Sequence, residues 1–314
     1  MIFLPNPMTV ESARPVRERL SELAAQLAPD QGYNLTALEG VRILRTEAVL
    51  HDVPVLYKPG AVFVLQGRKQ GMLEGDVYLY DEEHYLAVSV PVPFRMESVA
   101  SADRPLLAIY AEFDMQLAAE IASEIEKRSC VRSVVEAKSL VSSRIEPAIL
   151  DVLLRLLKAL THPVETVVLG KDILRELHYR VLIGPQGGAL ISALQQRGTS
   201  GKIVQSLARL RETYRSDISV AALASDAGMS VPSYHAHFKA LTGSSPMQYV
   251  KAMRLHEARL MIARQDMTIA EVALWVGYVS PAQFSRDFKR HFRHTASEEA
   301  KWVREHLGAL ALAP

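Results

Sequence analysis

Residues 218–250 read "ISVAALASDAGMSVPSYHAHFKALTGSSPMQYV", and residues 267–292 repeat the pattern as "MTIAEVALWVGYVSPAQFSRDFKRHF". Each copy opens on a hydroxyl that can cap a helix, Ser219 or Thr268, and Glu271 stands where it completes a capping box. Apolar residues then recur at helical spacing: Val220, Leu223, Ala224 and Ala227, and Ile269, Val272, Ala273 and Val276. Gly228 and Gly277 end these first helices at a turn that needs a left-handed backbone. Ser230 and Ser280 then cap a second helix, and Ala224 and Ala273 are small where the two helices cross. This is helix-turn-helix grammar, read twice, with units at about 219–242 and 268–292. Matched positions differ by 49 before the turn and by 50 after it, because the second turn is one residue longer.

In such a unit the second helix packs on one face and offers the other to base edges in the major groove. Tyr234, Phe238 and Leu241 form the packed face of the first reading helix, and Phe284 and Phe288 that of the second. The opposite faces are Pro232, His235, Ala236 and Lys239, and Ala282, Ser285, Arg286 and Lys289. Arg286 is the strongest base reader, since a guanidinium bonds both acceptors of guanine at once. His235, Gln283 and Ser285 offer single hydrogen bonds, and Pro232, Pro281 and Ala282 fit a thymine methyl. Lys239 and Lys289 suit phosphate, and the cap positions Ser230 and Ser280 at the two helix starts belong to the same DNA-binding set.

The intervening "SPMQYVKAMRLHEARLMIARQ" predicts a continuous helix from about Pro246 to Ala263. At 1.5 Å per residue it is roughly 27 Å long, enough to set two reading helices about one DNA turn apart. One protomer then reads two adjacent major grooves of double-stranded DNA. The charge distribution agrees. From Gly201 onward there are 15 Lys/Arg against 10 Asp/Glu, whereas the rest carries 21 against 25, so the net +1 conceals a basic C-terminal third.

The remaining two thirds differ in texture. Arg14–Leu27 predicts an amphipathic helix on Leu20, Leu23 and Leu27. From about Val41 to Phe113, short runs such as "PGAVFVLQGRK", "GDVYLYDEEHYLAVSV" and "PLLAIYAEF" are punctuated by turn residues at Glu74-Gly75-Asp76 and Asp81-Glu82-Glu83. That spacing predicts an antiparallel sandwich or barrel. Beyond Asp114 the periodicity is helical. Ile149, Leu153, Leu156, Leu157 and Leu160 make a broad apolar face whose partner is either the sheet domain or a second subunit. A helix over about Glu165–Leu182 follows, then a loosened glycine-rich stretch at 184–188 and 198–201, with the domain linker near Gly198–Lys202.

Composition excludes several classes. Apolar residues at 49% and charged residues at 23% suit an ordinary globular chain of two domains. Cys130 is the only cysteine, which rules out an intrachain disulfide and a Cys-rich zinc module and fits a reducing cytoplasm. The start, "MIFLPNPMTVESARP", has no signal-peptide pattern, and no apolar run is long enough to span a membrane.

At these residues the chain resembles the AraC/XylS family of bacterial transcription regulators. "GMSVPSYHAHFKALTGSSPMQYVKAMRL" and "VALWVGYVSPAQFSRDFKRHF" resemble its two signature segments, and the likeness is close from about Ile203 to Phe292. Upstream, "PGAVFVLQGRK", "VYLYDEEHYLAVSVPVPF" and "RLLKALTHPVETVVLGKDILRELHYRVLIGPQGG" are similar to the subgroup with a cupin-like effector-binding barrel. The resemblance implies an α+β architecture: an N-terminal cupin-like antiparallel β-barrel over 1–140, linking helices over 141–200 and an all-α double helix-turn-helix domain over 201–314. It further implies a small-molecule effector, homodimerisation and, for an activator, contact with RNA polymerase. Two departures stand out. Ala236 occupies a position where the family often has Arg or another long polar side chain, and Arg293-His294-Thr295-Ala296 replaces the family's Gly-x-x-Pro turn.

Other chemistries fit less well, and neither a catalytic residue nor a cofactor or metal is expected. His235 and His237 point about 200° apart on a helix and cannot share a metal. His291 and His294 lack a third ligand and read as surface residues of a DNA-facing helix. The barrel region has His51 and His84 but no His-x-His segment of a metal-dependent cupin. "GPQGGA" lacks the Lys-Ser/Thr of a phosphate loop. His51, Tyr57, Gln66, Arg68, Tyr78 and Tyr80 are the polar groups of the strand region that an effector can use. The alternatives are a covalent or redox sensor at Cys130, beside Lys127, Arg128 and Arg132, and a barrel that binds nothing and only dimerises.

Overall fold

The computed structural model describes residues 10–128, 137–194, 198–264 and 267–306. Cys130 and Arg132 fall outside them, so the covalent-sensor alternative has no structural counterpart to report. Helix α1 (Val10–Leu27) begins one turn earlier than expected. It is followed by β1 (Gly32–Leu35), β2 (Val41–Thr46), β3 (Leu50–Leu56), β4 (Gly60–Gln66), β5 (Arg68–Leu73), β6 (Asp76–Asp81), β7 (His84–Val88), β8 (Pro93–Val99) and β9 (Leu106–Glu112). After α2 (Met115–Arg128) comes a further strand, β10 (Leu140–Arg144).

The strands pair antiparallel in two sheets, ordered β1-β2-β9-β4-β7-β10 and β3-β8-β5-β6. Both expected turns are present. Glu74 and Gly75, at φ 52° and 93°, make the two-residue hairpin between β5 and β6, whose paired left-handed residues suit the strand twist. Asp81 carboxylate oxygen accepts from the backbone N–H of Glu83 and His84, which closes the turn into β7.

The six-stranded sheet is covered on both faces, which explains the unbroken apolar run of β4. Val62, Val64, Leu86, Val88 and Ala108 face the four-stranded sheet, while Ala61, Phe63, Tyr85, Ala87 and Ile109 face a helical layer. That layer is α1, α3 (Pro147–Leu160) and α4 (Pro163–Ile183). Ile149, Leu153, Leu156 and Leu157 of α3 are buried there, so the broad apolar face is satisfied by the chain's own sheet and helices.

Two expectations are corrected here. The glycine-rich stretch is not loose: α5 (Gly187–Leu194) forms within it, and a Cβ at Gly187 would lie 1.8 Å from the Leu182 carbonyl oxygen. Glycine is there for a close backbone approach. The linker placed at Gly198–Lys202 is the first turn of α6 (Gly198–Thr213), since Ile203, Val204, Leu207 and Leu210 bury one helical face.

Helices α7 (Val220–Asp226), α8 (Val231–Thr242), α9 (Pro246–Arg264), α10 (Ile269–Trp275), α11 (Pro281–Phe292) and α12 (Ala296–His306) complete the fold. Their core is continuous with the sandwich interior. The Tyr249 hydroxyl donates to Pro91 O at 2.8 Å, Arg259 to Pro54 O at 3.3 Å, and Arg95 to the His291 carbonyl at 3.3 Å. Among the described residues, no helix is long and apolar enough to cross a membrane.

Candidate nucleic-acid interface and sensor interior

Each helix-turn-helix unit is set by its caps. Ser219 Oγ accepts from Ala222 N–H, Ser230 Oγ from Ser233 N–H and Ser280 Oγ from Gln283 N–H, at 3.3–3.4 Å. Thr268 and Glu271 form the expected capping box. Gly228 and Gly277 take φ of 62° and 95°, the left-handed backbone that the turns require. The packed faces are as expected: Tyr234, Phe238, Phe284 and Phe288 are fully buried, and Leu241 nearly so. The Phe284, Phe288 and Phe292 rings stack in succession, with centroids 5.3 and 4.6 Å apart.

On the outer faces, Pro232, Ala236 and Lys239, and Pro281, Ala282, Gln283, Ser285, Arg286 and Lys289 are exposed together. His235 is half-buried beside them. Ser230 and Ser280 spend their hydroxyls on the caps, and Ser285 Oγ donates to Pro281 O at 2.9 Å. Lys239 lies 3.5 Å from Glu74 on the β5–β6 turn, so a phosphate there has to displace a carboxylate. Arg290 and Lys251 both pair with the buried Asp287, whereas Arg286 has no carboxylate partner among the described residues. The groove beside α11 is walled by Ser285, Arg286, Lys289, Arg290, Thr295 and Ala296.

His291 of α11 and His294 just beyond it differ from expectation. His291 is turned inward, 3.3 Å from His256 of α9, and burial with Arg95 and Arg259 nearby pushes its pKa down to about 4. It is neutral at pH 7 and turned away from the exposed face that carries Arg286. His294 pairs with Glu299 at 2.8 Å.

The second unit ends on a departure with an energetic consequence. Gly243 closes α8 at φ 75°, and Arg293, its counterpart fifty residues later, closes α11 at φ 67°. An exposed arginine there carries a Cβ penalty that glycine avoids. Arg293→Gly is expected to raise stability by about 0.5–1 kcal/mol, seen as a higher urea midpoint. A lowered midpoint would mean that the arginine side chain contributes contacts of its own.

The sequence candidates for effector contact divide by strand parity. Tyr57 and Tyr80 are buried in the sandwich interior and Tyr78 is partly so. His51 and Arg68 are exposed and are not brought to the interior: His51 sits at the β3 register shift, and Arg68 points to the opposite face from its neighbour. Gln66 donates to Pro105 O at 2.8 Å. The residue that sequence reading passed over is Lys69, 2% exposed, whose ammonium donates to Tyr57 Oη at 3.2 Å. In β5 the alternation of Lys69, Gly71 and Leu73 was the available signal, and it was obscured by the charged residue at its head.

Paired helix-turn-helix units on a basic module, joined to a two-sheet domain with a few polar groups in an apolar interior, are the architecture of a DNA-binding regulator. Comparison with known proteins agrees. A model of the AraC-type transcriptional regulator N-terminus matches residues 37–189, and a helix-turn-helix domain model matches 223–301. The probable transcription factor PqrA of Proteus vulgaris is 35% identical over 81 residues, 26% of this chain and 66% of PqrA. The transcriptional activator RhaS of Salmonella schwarzengrund is 29% identical over 103 residues, 32% of this chain and 37% of RhaS, so the match spans little more than a third of that relative. ToxT of Vibrio cholerae O395 superposes with a TM-score of 0.59 at 12% identity, over 84% of this chain and 98% of ToxT, a likeness of fold. The chain belongs to the AraC/XylS-type transcriptional regulators, which are DNA-binding proteins and not enzymes.

Proposed function

We propose that the protein is a cytoplasmic activator that reads two adjacent major grooves with α8 and α11 and answers to a small molecule held in the sandwich. The observation that carries the DNA reading is the shared exposure of Ala282, Gln283, Ser285, Arg286 and Lys289 on α11, with Arg286 unpaired among the described residues. Arg286 reads guanine, Gln283 and His235 add single hydrogen bonds, and Pro232, Ala236, Pro281 and Ala282 meet thymine methyls. Lys239, Lys289 and the helix starts at Ser230 and Ser280 position the phosphates.

The domain assignment accompanies this reading: sensor over 1–140, helical connector over 141–200 and DNA-binding module over 201–314. Effector binding acts by favouring one arrangement of sandwich and module over another. The contacts of Tyr249, Arg259 and Lys239 with the sandwich supply a route for that coupling. ToxT has been solved with an unsaturated fatty acid bound, and RhaS is a transcriptional activator. Val164, Val167 and Val168, all well exposed on α4, support a homodimer formed through the connector, and an activator of this kind touches RNA polymerase.

The test is operator affinity against salt, on a DNA site obtained by mapping chromosomal occupancy. Arg286→Ala is expected to cost about 1–3 kcal/mol and to relax base preference at one position. Lys239→Ala is expected to weaken all sites evenly and to flatten the salt slope by about one. Unchanged affinity and preference in Arg286→Ala would remove α11 as the reading helix.

A further inference from the structure

Lys69, Ser98 and Tyr80 are register partners across three neighbouring strands: Lys69 pairs with Tyr80 on one side and Ser98 on the other. Directly paired residues of an antiparallel sheet point to the same face. The face here is the sandwich interior, where Lys69 and Ser98 are 2% exposed and Tyr80 0%. Ser98 Oγ is buried without a hydrogen-bond partner, and the equally buried Tyr80 hydroxyl has only the Tyr57 hydroxyl beside it. The Lys69 ammonium has Tyr57 Oη at 3.2 Å and the Tyr57 and Tyr80 rings at 5.8 and 5.7 Å, and among the described residues no carboxylate pairs with it.

Such a row is costly unless something completes it. A buried ammonium with only neutral neighbours, one orphaned hydroxyl and one shared between two tyrosines forfeit most of their hydration without full replacement. All four polar groups can donate, and what they lack in common is an acceptor with several lone pairs. The walls around them are apolar and aromatic: Leu44, Val64, Phe94, Met96 and Leu106. Gly71 brings the Phe94 ring directly over this face, since a Cβ there would meet the ring at 2.9 Å.

We propose that this inner face is an anion site that holds the carboxylate of a small organic acid between Lys69, Tyr80, Ser98 and Tyr57. The reading rests on the sandwich being an effector domain and names the chemical class of that effector. One ammonium matches one negative charge, which favours a monocarboxylate over a multiply charged phosphate in an apolar interior. The hydrocarbon or aromatic body of the acid takes the place of water against the apolar walls. Burial pushes the Lys69 amine below its ordinary pKa and the Tyr57 hydroxyl up to about 12. A bound carboxylate reverses the first shift and accepts from the second group. Without it, the charge on Lys69 opposes folding at neutral pH, because a depressed amine costs stability below its unfolded pKa and that cost disappears only above it.

The experiment uses the full chain, with benzoate and octanoate as charged probes and benzamide as the uncharged counterpart, followed by thermal unfolding and calorimetric titration. The wild-type protein is expected to gain several degrees with a carboxylate and nothing with benzamide. Lys69→Met, which conserves volume, is expected to unfold at a higher temperature without ligand and to bind the carboxylates at least about tenfold more weakly. Tyr80→Phe keeps the ring and weakens binding without disturbing the fold. Equal carboxylate binding by wild type and Lys69→Met, or no binding of either carboxylate by wild type, overturns the site. Binding of benzamide that is indifferent to Lys69→Met overturns the anion reading and leaves the effector domain standing. Carboxylate binding at Lys69 that leaves operator affinity unchanged upholds the site and overturns effector control.

Discussion

Glu299→Leu is expected to destabilise the DNA-binding module by about 3–5 kcal/mol, because it leaves a buried guanidinium without its carboxylate. Arg259 of α9 and Glu299 of α12 approach to 2.7 Å with side chains 6% and 4% exposed. Arginine cannot shed its charge to escape, even though burial lowers its pKa. The guanidinium lies between the Phe292 and Trp302 rings, 5.1 and 5.4 Å from their centroids, and reaches Pro54 O on β3. Loss of Glu299 therefore loosens α12 from α9 and weakens the hold of the sandwich on both. The check is a urea titration of Glu299→Leu, Arg259→Met and the double variant. The double variant is expected to recover most of the loss, since two apolar side chains leave no unpaired charge. A single-variant loss below about 1 kcal/mol would show that water reaches the pair.

Phe288→Ala carries the second large effect, about 3–5 kcal/mol, from lost burial and the cavity that remains. Phe288 is fully buried between Phe284 and Phe292, the inner stack that fixes α11 to α9 and α10. The variant is expected to lose the groove read by α11 while retaining protection by α8, as hydroxyl-radical footprinting would show. Its neighbour two positions earlier makes the contrast. Arg286→Ala leaves thermal stability within about 0.5 kcal/mol, as exposed substitutions do, yet weakens the operator. If Phe288→Ala kept full two-groove protection, α11 would be held by contacts other than its aromatic face.

The contrast between these two residues shows what could be read in advance. Caps, left-handed glycines and aromatic spacing are local, so the units at 219–242 and 268–292 appear in the chain as they do in the fold. The same holds for the hairpin at Glu74-Gly75 and for the buried face of α3. Strands β1 and β10 were not legible. They are short, and β10, "LVSSR", has two serines among five residues and exists because the edge of β7 offers it hydrogen bonds. A partner far along the chain leaves no local period. His291 was misplaced for the same reason: its inward turn depends on His256, thirty-five residues away.

The sequence by itself determined the two helix-turn-helix units, the spacing helix between them and the face of each second helix that stays exposed, since each follows from periodicity and capping within one turn or two. Only the tertiary structure decided that Lys69 rather than Arg68 enters the sandwich, that Lys239 is held by Glu74, and that Arg259 is buried against Glu299. The reason is physical. Register, burial and charge pairing are properties of elements brought together from distant parts of the chain. A shift of one residue in strand register exchanges the interior for solvent.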